Sequence, residues 1–165
     1  MRRLLIVPLL LLVASLGHGA GGILLKDVFR TMPDSLMPYL TENNRLDFID
    51  FLDSGMKAEV KNSLGGNSQM TALTADSLSI RMSDALRVDM LLLAPESPAG
   101  SDSIVCLVET FGTDSLSLQS VVSYFTIQWQ RLPAQPPLRA ADKRRIDALK
   151  LQTILKWDDE VLKKN

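Results

Sequence analysis

Apolar and polar residues alternate in the segment Ser77-Leu78-Ser79-Ile80-Arg81-Met82-Ser83-Asp84-Ala85-Leu86-Arg87-Val88-Asp89-Met90-Leu91-Leu92. A period of two is expected for β-strands that bury one face and leave the other face polar. The polar pair Ser83-Asp84 interrupts the alternation, which resumes at Leu86. The segment therefore predicts two antiparallel strands that are joined by a tight turn.

The sequence that follows predicts further strands of the same sheet. A loop rich in proline, glycine and serine leads to the apolar run Ile104–Thr110, which is typical of a central strand buried on both faces. Gly112-Thr113-Asp114 marks the next turn. Beyond this turn the alternation changes phase, from Leu116 and Leu118 in one phase to Val121, Phe125, Ile127 and Trp129 in the other. A β-bulge near Gln119-Ser120 would reconcile the two phases within one strand.

Helical spacing dominates the amino-terminal part of the chain. Residues Ile23–Leu40 predict one short helix, which Pro33 and Pro38 end in a turn. Between Arg45 and Ser63, apolar residues recur at steps of three and four, at Leu46, Ile49, Leu52, Met56 and Val60. This spacing predicts a second helix.

The ends of the second helix also have candidate signals. Asn43 or Asn44 would cap its start, Asp47 would lie in its first turn against the positive end of the helix dipole, and Gly65-Gly66 would end it. At the other end of the chain, a linker with Pro133, Pro136 and Pro137 precedes a charged segment, Asp142–Lys163, that predicts a C-terminal helix.

Together these elements predict an α+β fold with N-terminal helices, an antiparallel β-meander of four to five strands and a C-terminal helix. We assign residues 20–132 to the α+β domain, with the helices in residues 23–64 and the meander in residues 68–132. Residues 133–165 hold the Pro-rich linker and the C-terminal helix.

The first residues of the chain resemble an export signal. Arg2 and Arg3 precede an apolar run, Leu4–Leu16, which is followed by the small residues of a cleavage site. The run is about 13 residues long, whereas a membrane-spanning helix needs about 20. We predict a signal peptide over residues 1–19, cleavage after Gly19, no transmembrane anchor, and a periplasmic or secreted protein. We expect that the protein is not a lipoprotein, because no cysteine stands directly after the apolar run to carry a lipid.

Composition narrows the chemistry that the exported chain can perform. The full sequence has 18 basic and 19 acidic residues, so losing Arg2 and Arg3 leaves 16 against 19, which disfavours a nucleic-acid partner. His18 is the single histidine and would leave with the signal peptide. Catalytic sites and zinc sites that rely on histidine are therefore not expected, and no cofactor is predicted.

Three aspartates are the candidates for a metal site. Asp47, Asp50 and Asp53 follow one another at steps of three on the second predicted helix, where their carboxylates could converge on a hard cation such as calcium. The alternative is a solvated polar face opposite Leu46 and Ile49, and we favour this alternative.

Two further motifs suggest chemistry only weakly. Ser54-Gly55-Met56-Lys57 has the form in which a lysine activates a serine in penicillin-recognising enzymes, but the companion motifs are missing. Cys106, the single cysteine, lies in the most apolar predicted strand without a nearby cation in sequence. We interpret it as an inert buried thiol, since reactive cysteines lie in accessible, electropositive places.

Two aromatic residues are candidates for a ligand-binding surface. Tyr124 and Trp129 would lie on opposite faces of the last predicted strand, so that one face could present an aromatic platform to a sugar or a peptide. The alternative for Trp129 is a place at the edge of the hydrophobic core.

Two functional hypotheses follow from these residues. The first is a non-catalytic binding or interaction module of the cell envelope, whose sheet or edge strand contacts an envelope protein, a peptide or a glycan. The second is a small hydrolase that cleaves glycans with two carboxylates about 5 to 10 Å apart. The second hypothesis would draw on Asp47, Asp50, Asp53, Glu109 and Asp114. We favour the module.

The amino-terminal block carries a resemblance to a known family. Lys26-Asp27-Val28-Phe29-Arg30-Thr31-Met32-Pro33-Asp34-Ser35-Leu36, then Pro38–Phe48, Asp50–Asp53, Leu73-Thr74 and Trp129–Leu132 resemble a family of exported Bacteroidales proteins of unknown function. The likeness reaches to about Pro133. It implies an exported bacterial protein and an α+β fold, but it implies no activity and no functional residue.

Overall fold

The fold is an antiparallel sheet between two layers of helices. The computed structural model describes residues 22–94, 103–114 and 117–162, with side chains as far as Trp157. The predicted signal peptide and Leu116 lie outside these residues. No helix in the described ranges is both long enough and apolar enough to span a bilayer.

The helices have the following bounds. Helix α1 covers Leu25–Arg30, a 3₁₀ turn covers Asp34–Leu36, helix α2 covers Glu42–Asp53 and helix α3 covers Ala140–Leu162. The prediction of helices at both ends of the chain is confirmed.

The six strands form a meander in chain order, with every neighbouring pair antiparallel. They are β1 (Glu59–Lys61), β2 (Asn67–Leu73), β3 (Ser77–Ser83), β4 (Leu86–Leu93), β5 (Ile104–Phe111) and β6 (Gln119–Thr126). The α+β class is confirmed, and the sheet has six strands rather than four to five. The prediction missed β1 because it is only three residues long and its sequence continued a helical pattern.

Helix α2 is shorter than the sequence predicted. It ends at Asp53, and Gly55 follows with a φ of 70°, a left-handed conformation that glycine adopts without a steric penalty. Val60, which extended the helical pattern, instead lies in β1 with its side chain buried. Gly65-Gly66 therefore ends no helix but belongs to the turn between β1 and β2.

The start of α2 also differs from the prediction. Thr41 is the N-cap, and its hydroxyl accepts a hydrogen bond from the Asn44 backbone N–H while the Asn44 side chain accepts one from the Thr41 N–H. This reciprocal pair satisfies two N–H groups that have no partner within the helix. Asn44 is thus the third helical residue rather than the cap, and Asp47 lies in the second turn rather than the first.

The hairpin and central-strand predictions are confirmed. Strands β3 and β4 pair through the turn at Asp84-Ala85, and β5 is buried on both faces between β4 and β6. The predicted bulge in the last strand is wrong, because β5 and β6 pair without a break from Phe111↔Gln119 to Ile104↔Thr126. The change of phase has a simpler cause, because Leu118 lies in the loop before β6 rather than in the strand. Trp129 lies in the turn after β6.

The two faces of the sheet pack against different helices. We call the face that α1 and α2 cover the first face; its core includes Phe29, Phe48 and Ile80. The opposite side of the sheet, the second face, packs against α3. Its smaller core includes Leu91, Cys106 and other residues of β4 to β6 together with Ile146 of α3.

Candidate functional site

A cleft of about 560 Å³ opens on the second face of the sheet, between α3 and strands β2 to β4. Helix α3 packs on β4 and β5 and leaves the second-face side chains of β3 partly exposed. These side chains are polar because β3 alternates, with Leu78, Ile80 and Met82 buried on the first face. The amphipathic pattern of one strand thus produces the polar wall of the cleft, which we call the α3 cleft.

Asp89 of β4 forms the inner end of the α3 cleft. Asp89 is only 4% exposed. The Ser79 hydroxyl donates a hydrogen bond of 2.5 Å to Oδ1, and the Thr153 hydroxyl donates one of 2.9 Å to Oδ2. Since Ser79 lies on β3 and Thr153 on α3, both oxygens of one carboxyl group are fixed between the sheet and the helix.

Burial raises the pKa of the Asp89 carboxyl group above its ordinary value. The hydrogen bonds from Ser79 and Thr153 and the positive charges of Lys156 and Arg87 act in the opposite direction, but burial is the largest effect. The protonated form is therefore favoured relative to an exposed aspartate. A buried carboxyl group with a raised pKa in a cleft is typical of functional sites.

Four cationic side chains line the cleft, namely Arg81, Arg87, Arg145 and Lys156. Lys156 is exposed, whereas Arg87 is buried with its guanidinium group 4.5 Å from the centre of the Trp157 ring. Arg145 forms a 2.7 Å ion pair with Asp76. Among the described residues that line the cleft, Asp89 is the only acidic one. Arg145 also lies 3.5 Å from the Asp142 carboxylate, and Arg81 lies 3.6 Å from the Asp84 carboxylate. Among the described lining residues cations still outnumber acidic groups, and the exposed Lys156 ammonium group favours anions.

Hydroxyl groups complete the wall of the cleft, from Thr71, Ser77, Ser79 and Thr153. Hydroxyl, carboxyl and guanidinium groups recognise oxygen-rich ligands through hydrogen bonds in defined directions. In the part of the chain that the structure describes, no three His, Cys, Asp or Glu side chains are placed to hold a metal ion. The arrangement is suited to binding an organic anion that carries hydroxyl groups.

The three aspartates of α2 do not contribute to this cleft. Asp47, Asp50 and Asp53 are all exposed, and they lie on a helix that covers the opposite face of the sheet. The Asp53 carboxylate is 3.7 Å from the Lys26 ammonium group. The geometry agrees with a polar face that is exposed to solvent.

We predict that calcium does not stabilise the protein through α2. Replacing Asp50 by asparagine should change the free energy of unfolding by no more than about 0.5 kcal/mol, as is usual for an exposed residue. Millimolar calcium should leave the melting temperature of the wild type unchanged, because a ligand raises it only by binding the folded state preferentially. Thermal denaturation with calcium and with a chelator checks this. A calcium-dependent rise that Asp50→Asn removes would reveal a metal site.

The remaining candidate carboxylates are also dispersed. Glu109 is half-buried on the first face of β5, where burial raises its pKa and Arg131 partly opposes this effect. Asp114 lies in an exposed turn, where its Oδ1 accepts a 2.9 Å hydrogen bond from the Ser117 N–H. Neither residue lines the α3 cleft.

The two aromatic candidates are buried rather than displayed. Trp129 is 7% exposed in the core of the first face, and its indole N–H donates a 3.0 Å hydrogen bond to the Val28 carbonyl oxygen. Tyr124 is 8% exposed in the core of the second face. They lie on opposite faces of the sheet, as expected, but neither ring forms an open platform.

The nucleophile candidates have no activating surroundings. Cys106 is fully buried, and burial raises the pKa of its thiol to about 12, so that the thiolate is absent at neutral pH. Ser54 is the exposed residue that follows α2, and the Lys57 ammonium group forms an ion pair with Glu59.

Asp89 was not selected by the sequence analysis, although a signal for it exists. It is a carboxylate within a strand whose other residues are mostly apolar, Leu86-Arg87-Val88-Asp89-Met90-Leu91-Leu92-Leu93. Alternation assigned Asp89 to a polar, solvent-facing side. Burial comes instead from α3, which is about fifty residues later in the chain, and no local pattern places that helix over β4.

A family model described as "Protein of unknown function (DUF3256)" matches residues 21–156. The chain belongs to this family. The match extends beyond Pro133, where the resemblance seen in the sequence ended, and includes most of α3. DUF3256 membership supplies no activity, so functional conclusions must come from the geometry of the site.

This DUF3256 chain is similar to a solved structure. That structure is described as a domain of an uncharacterized protein from Porphyromonas gingivalis W83, with 25% sequence identity and a TM-score of 0.54. The similarity covers 68% of this chain and 57% of that one, so the chain matches little more than half of that protein's solved length. No curated protein matches the chain.

Proposed function

We propose that this protein is an exported, non-catalytic binding module of a bacterial cell envelope, and that the α3 cleft binds a small anion with hydroxyl groups. Acidic glycans carry this chemistry in their uronic acid and phosphorylated sugar units. The observation that carries the proposal is Asp89, a buried carboxyl group held by Ser79 and Thr153 at the inner end of a cationic cleft.

The residues of the cleft divide into two groups with complementary roles. Arg81 and Lys156 would pair with the anionic group of the ligand, because charge-assisted hydrogen bonds are stronger than neutral ones. The Asp89 carboxyl group and the hydroxyl groups near it would exchange hydrogen bonds with the hydroxyl groups of the ligand. The Ser79 and Thr153 contacts fix the orientation of Asp89 before the ligand arrives, which reduces the entropy lost on binding.

Two observations outside the cleft support export. Arg2, Arg3 and the apolar run Leu4–Leu16 have the order of a signal peptide. The family match begins at residue 21, shortly after the predicted cleavage after Gly19. The similar protein comes from Porphyromonas gingivalis, a member of the Bacteroidales, which supports the same bacterial origin.

The competing hypothesis of a carboxylate-dependent hydrolase has weaker support. Glycoside hydrolysis in most enzyme families uses two carboxylates that flank the bond to be cleaved. The described lining of the α3 cleft contributes Asp89 alone. A raised pKa would suit Asp89 to proton donation, but the lining residues that the structure describes include no second carboxylate to act as base or nucleophile.

Calorimetric titration with four probes tests the proposed function: galacturonate, glucose 6-phosphate, galactose and inorganic phosphate. We expect the two hydroxylated anions to bind more tightly than galactose or inorganic phosphate. Lys156→Gln should weaken their binding about tenfold, the effect of losing one charge-assisted contact. Lys143→Gln is the matched control, because Lys143 lies on the same helix but lines a different groove. Equal weakening by both substitutions would contradict the assignment to the cleft.

A further inference from the structure

Strand β6 forms one edge of the sheet, and only part of this edge is covered by the chain itself. The Leu132 N–H donates a 2.8 Å hydrogen bond to the Tyr124 carbonyl oxygen, and the Thr126 N–H donates a 2.9 Å hydrogen bond to the Gln130 carbonyl oxygen. Residues 130–132 thus pair with the last third of β6 as a short additional strand, with Arg131 opposite Phe125.

The hydrogen bonds of residues 130–132 establish which backbone groups of β6 point away from β5. Since the direction alternates along a strand, the outward groups belong to Tyr124 and Thr126 and, by the same period, to Ser120 and Val122. Pro133 follows the covering segment and has no N–H group to continue the pairing. Within the described ranges, no segment pairs with the outward side of β6 between Gln119 and Ser123.

This part of the edge lacks the features that usually prevent pairing with another chain. Gln119–Thr126 contains no charged residue and no proline, and its pairing with β5 is free of bulges. Native proteins commonly use charged residues, proline or bulges to block exposed edges. Ser120 and Val122 therefore offer two N–H donors and two carbonyl acceptors in the spacing that an added strand requires.

A groove beside this edge indicates the chemistry of the added strand. It lies between β6, residues 131–138 and α3, on the side of α3 opposite the α3 cleft, and we call it the β6 groove. Its charged lining residues are Arg131, Lys143, Asp147 and Lys150, which are three cations and one acid. Val122 belongs to the same lining, so a residue placed opposite Val122 would direct its side chain into the groove.

On the other face of the edge, Val121 is 49% exposed and pairs with the half-buried Glu109 of β5. A residue opposite Val121 would lie beside it on the first face of the sheet. An added strand would therefore meet the cations of the β6 groove and the Val121 side chain at alternate positions. A second copy of this chain fits less well, because pairing through two β6 edges would bring Lys143 and Lys150 of both copies together.

We propose that the open edge of β6 binds an extended peptide segment of another protein, in which acidic residues alternate with apolar ones. The backbone of the segment would pair with Ser120 and Val122, its acidic side chains would enter the β6 groove, and its apolar side chains would cover Val121. This site is separate from the α3 cleft and does not depend on the function proposed for it.

The test uses the purified protein and a fluorescein-labelled peptide of alternating glutamate and valine, six residues long. Fluorescence anisotropy should show binding that Val122→Pro weakens at least tenfold, because proline removes an outward N–H group. Val121→Ala removes only a side-chain contact and should weaken binding by less than about threefold, since every backbone bond remains. If Val122→Pro fails to fold, a peptide N-methylated at alternate residues gives the same test on the wild type.

Charge reversal tests the identity of the partner. The double variant Lys143→Glu, Lys150→Glu should bind the glutamate peptide at least tenfold more weakly than the wild type and the matching lysine peptide more tightly. Lys156→Gln in the α3 cleft should change the affinity for neither peptide. A folded Val122→Pro variant that binds the glutamate peptide as the wild type does would overturn the proposal. So would dimerisation that Val122→Pro abolishes in a protein that binds no peptide, which would assign the edge to a second copy.

Discussion

Replacing Asp89 by alanine is expected to lower the free energy of unfolding by about 2 to 3 kcal/mol, because the hydroxyl groups of Ser79 and Thr153 lose their acceptor in a site from which water is largely excluded. Thr153 is 7% exposed and Asp89 is 4% exposed, so solvent does not readily replace the lost hydrogen bonds. The contact between α3 and the sheet should loosen as well. Urea denaturation of wild type and variant measures the difference.

Asp89→Asn is the matched control, because its amide oxygen can accept one hydrogen bond and its amide nitrogen can donate another. We expect the asparagine variant to keep most of the wild-type stability at neutral pH. A loss as large as that of the alanine variant would mean that the negative charge, rather than the hydrogen-bonding shape, stabilises this site.

The stability of the wild type relative to the asparagine variant should also depend on pH, and the direction of this dependence follows from the raised pKa. The pKa of Asp89 is raised in the folded protein, so the folded state keeps this proton to a higher pH than the unfolded chain does. The resulting stabilisation is fully present below the unfolded pKa, about 3.9, and is lost as the pH rises through the raised folded pKa. The wild type should therefore lose stability relative to Asp89→Asn between pH 4 and neutrality. Parallel pH profiles of the two proteins would contradict the raised pKa.

Replacing Arg45 by alanine is expected to cost at least about 3 kcal/mol of stability, because two carbonyl oxygens in buried surroundings lose their donors, at about 1 to 3 kcal/mol each, and the packing of the buried side-chain stem is lost as well. Arg45 is 2% exposed. Its guanidinium group donates to the carbonyl oxygens of Met32 and Leu40 at 2.6 Å and 3.1 Å and pairs with the Asp34 carboxylate at 2.7 Å. One side chain thus joins the segment that follows α1, the 3₁₀ turn and α2, and its loss leaves two carbonyl groups without their donor.

Asp34→Asn provides the control for the ion pair alone. The Asp34 side chain is 65% exposed, so the ion pair should contribute no more than about 1 kcal/mol. Thermal and urea denaturation of both variants separates the two contributions. Equal losses from Arg45→Ala and Asp34→Asn would show that the carbonyl hydrogen bonds matter less than we infer.

The extent to which the sequence predicts this fold depends on whether local patterns agree with tertiary contacts. The alternation in Ser77–Leu92 predicts β3 and β4 correctly, because one face of each strand is buried by its nearest layer. The pattern fails at Met56 and Val60, whose helical spacing is accidental, since Gly55 reverses the chain before them. It fails again at Trp129, which reaches the core from a turn after the strand rather than from the strand itself.

The candidate site was harder to predict, since its elements are distant in the sequence. Ser79, Asp89 and Thr153 come from β3, β4 and α3, and they meet only because the linker before α3 returns the chain across the second face. Sequence spacing offered Asp47, Asp50 and Asp53 as candidates for a metal site because they are near one another along a single helix, although a solvated polar face was the favoured interpretation. Those three aspartates form only an exposed surface of α2, whereas the cluster around Asp89 forms when α3 packs on the sheet.

An NMR titration of the ¹⁵N-labelled protein with galacturonate shows whether the α3 cleft binds hydroxylated anions. We expect saturable changes in the backbone amide signals of Ser79, Arg81 and Asp89 on the sheet and of Gln152 and Thr153 on α3. Signals of Val121 and Val122 on β6 should stay unchanged. Saturable changes confined to β6, or no changes up to millimolar galacturonate and glucose 6-phosphate, would contradict the proposed binding in the α3 cleft.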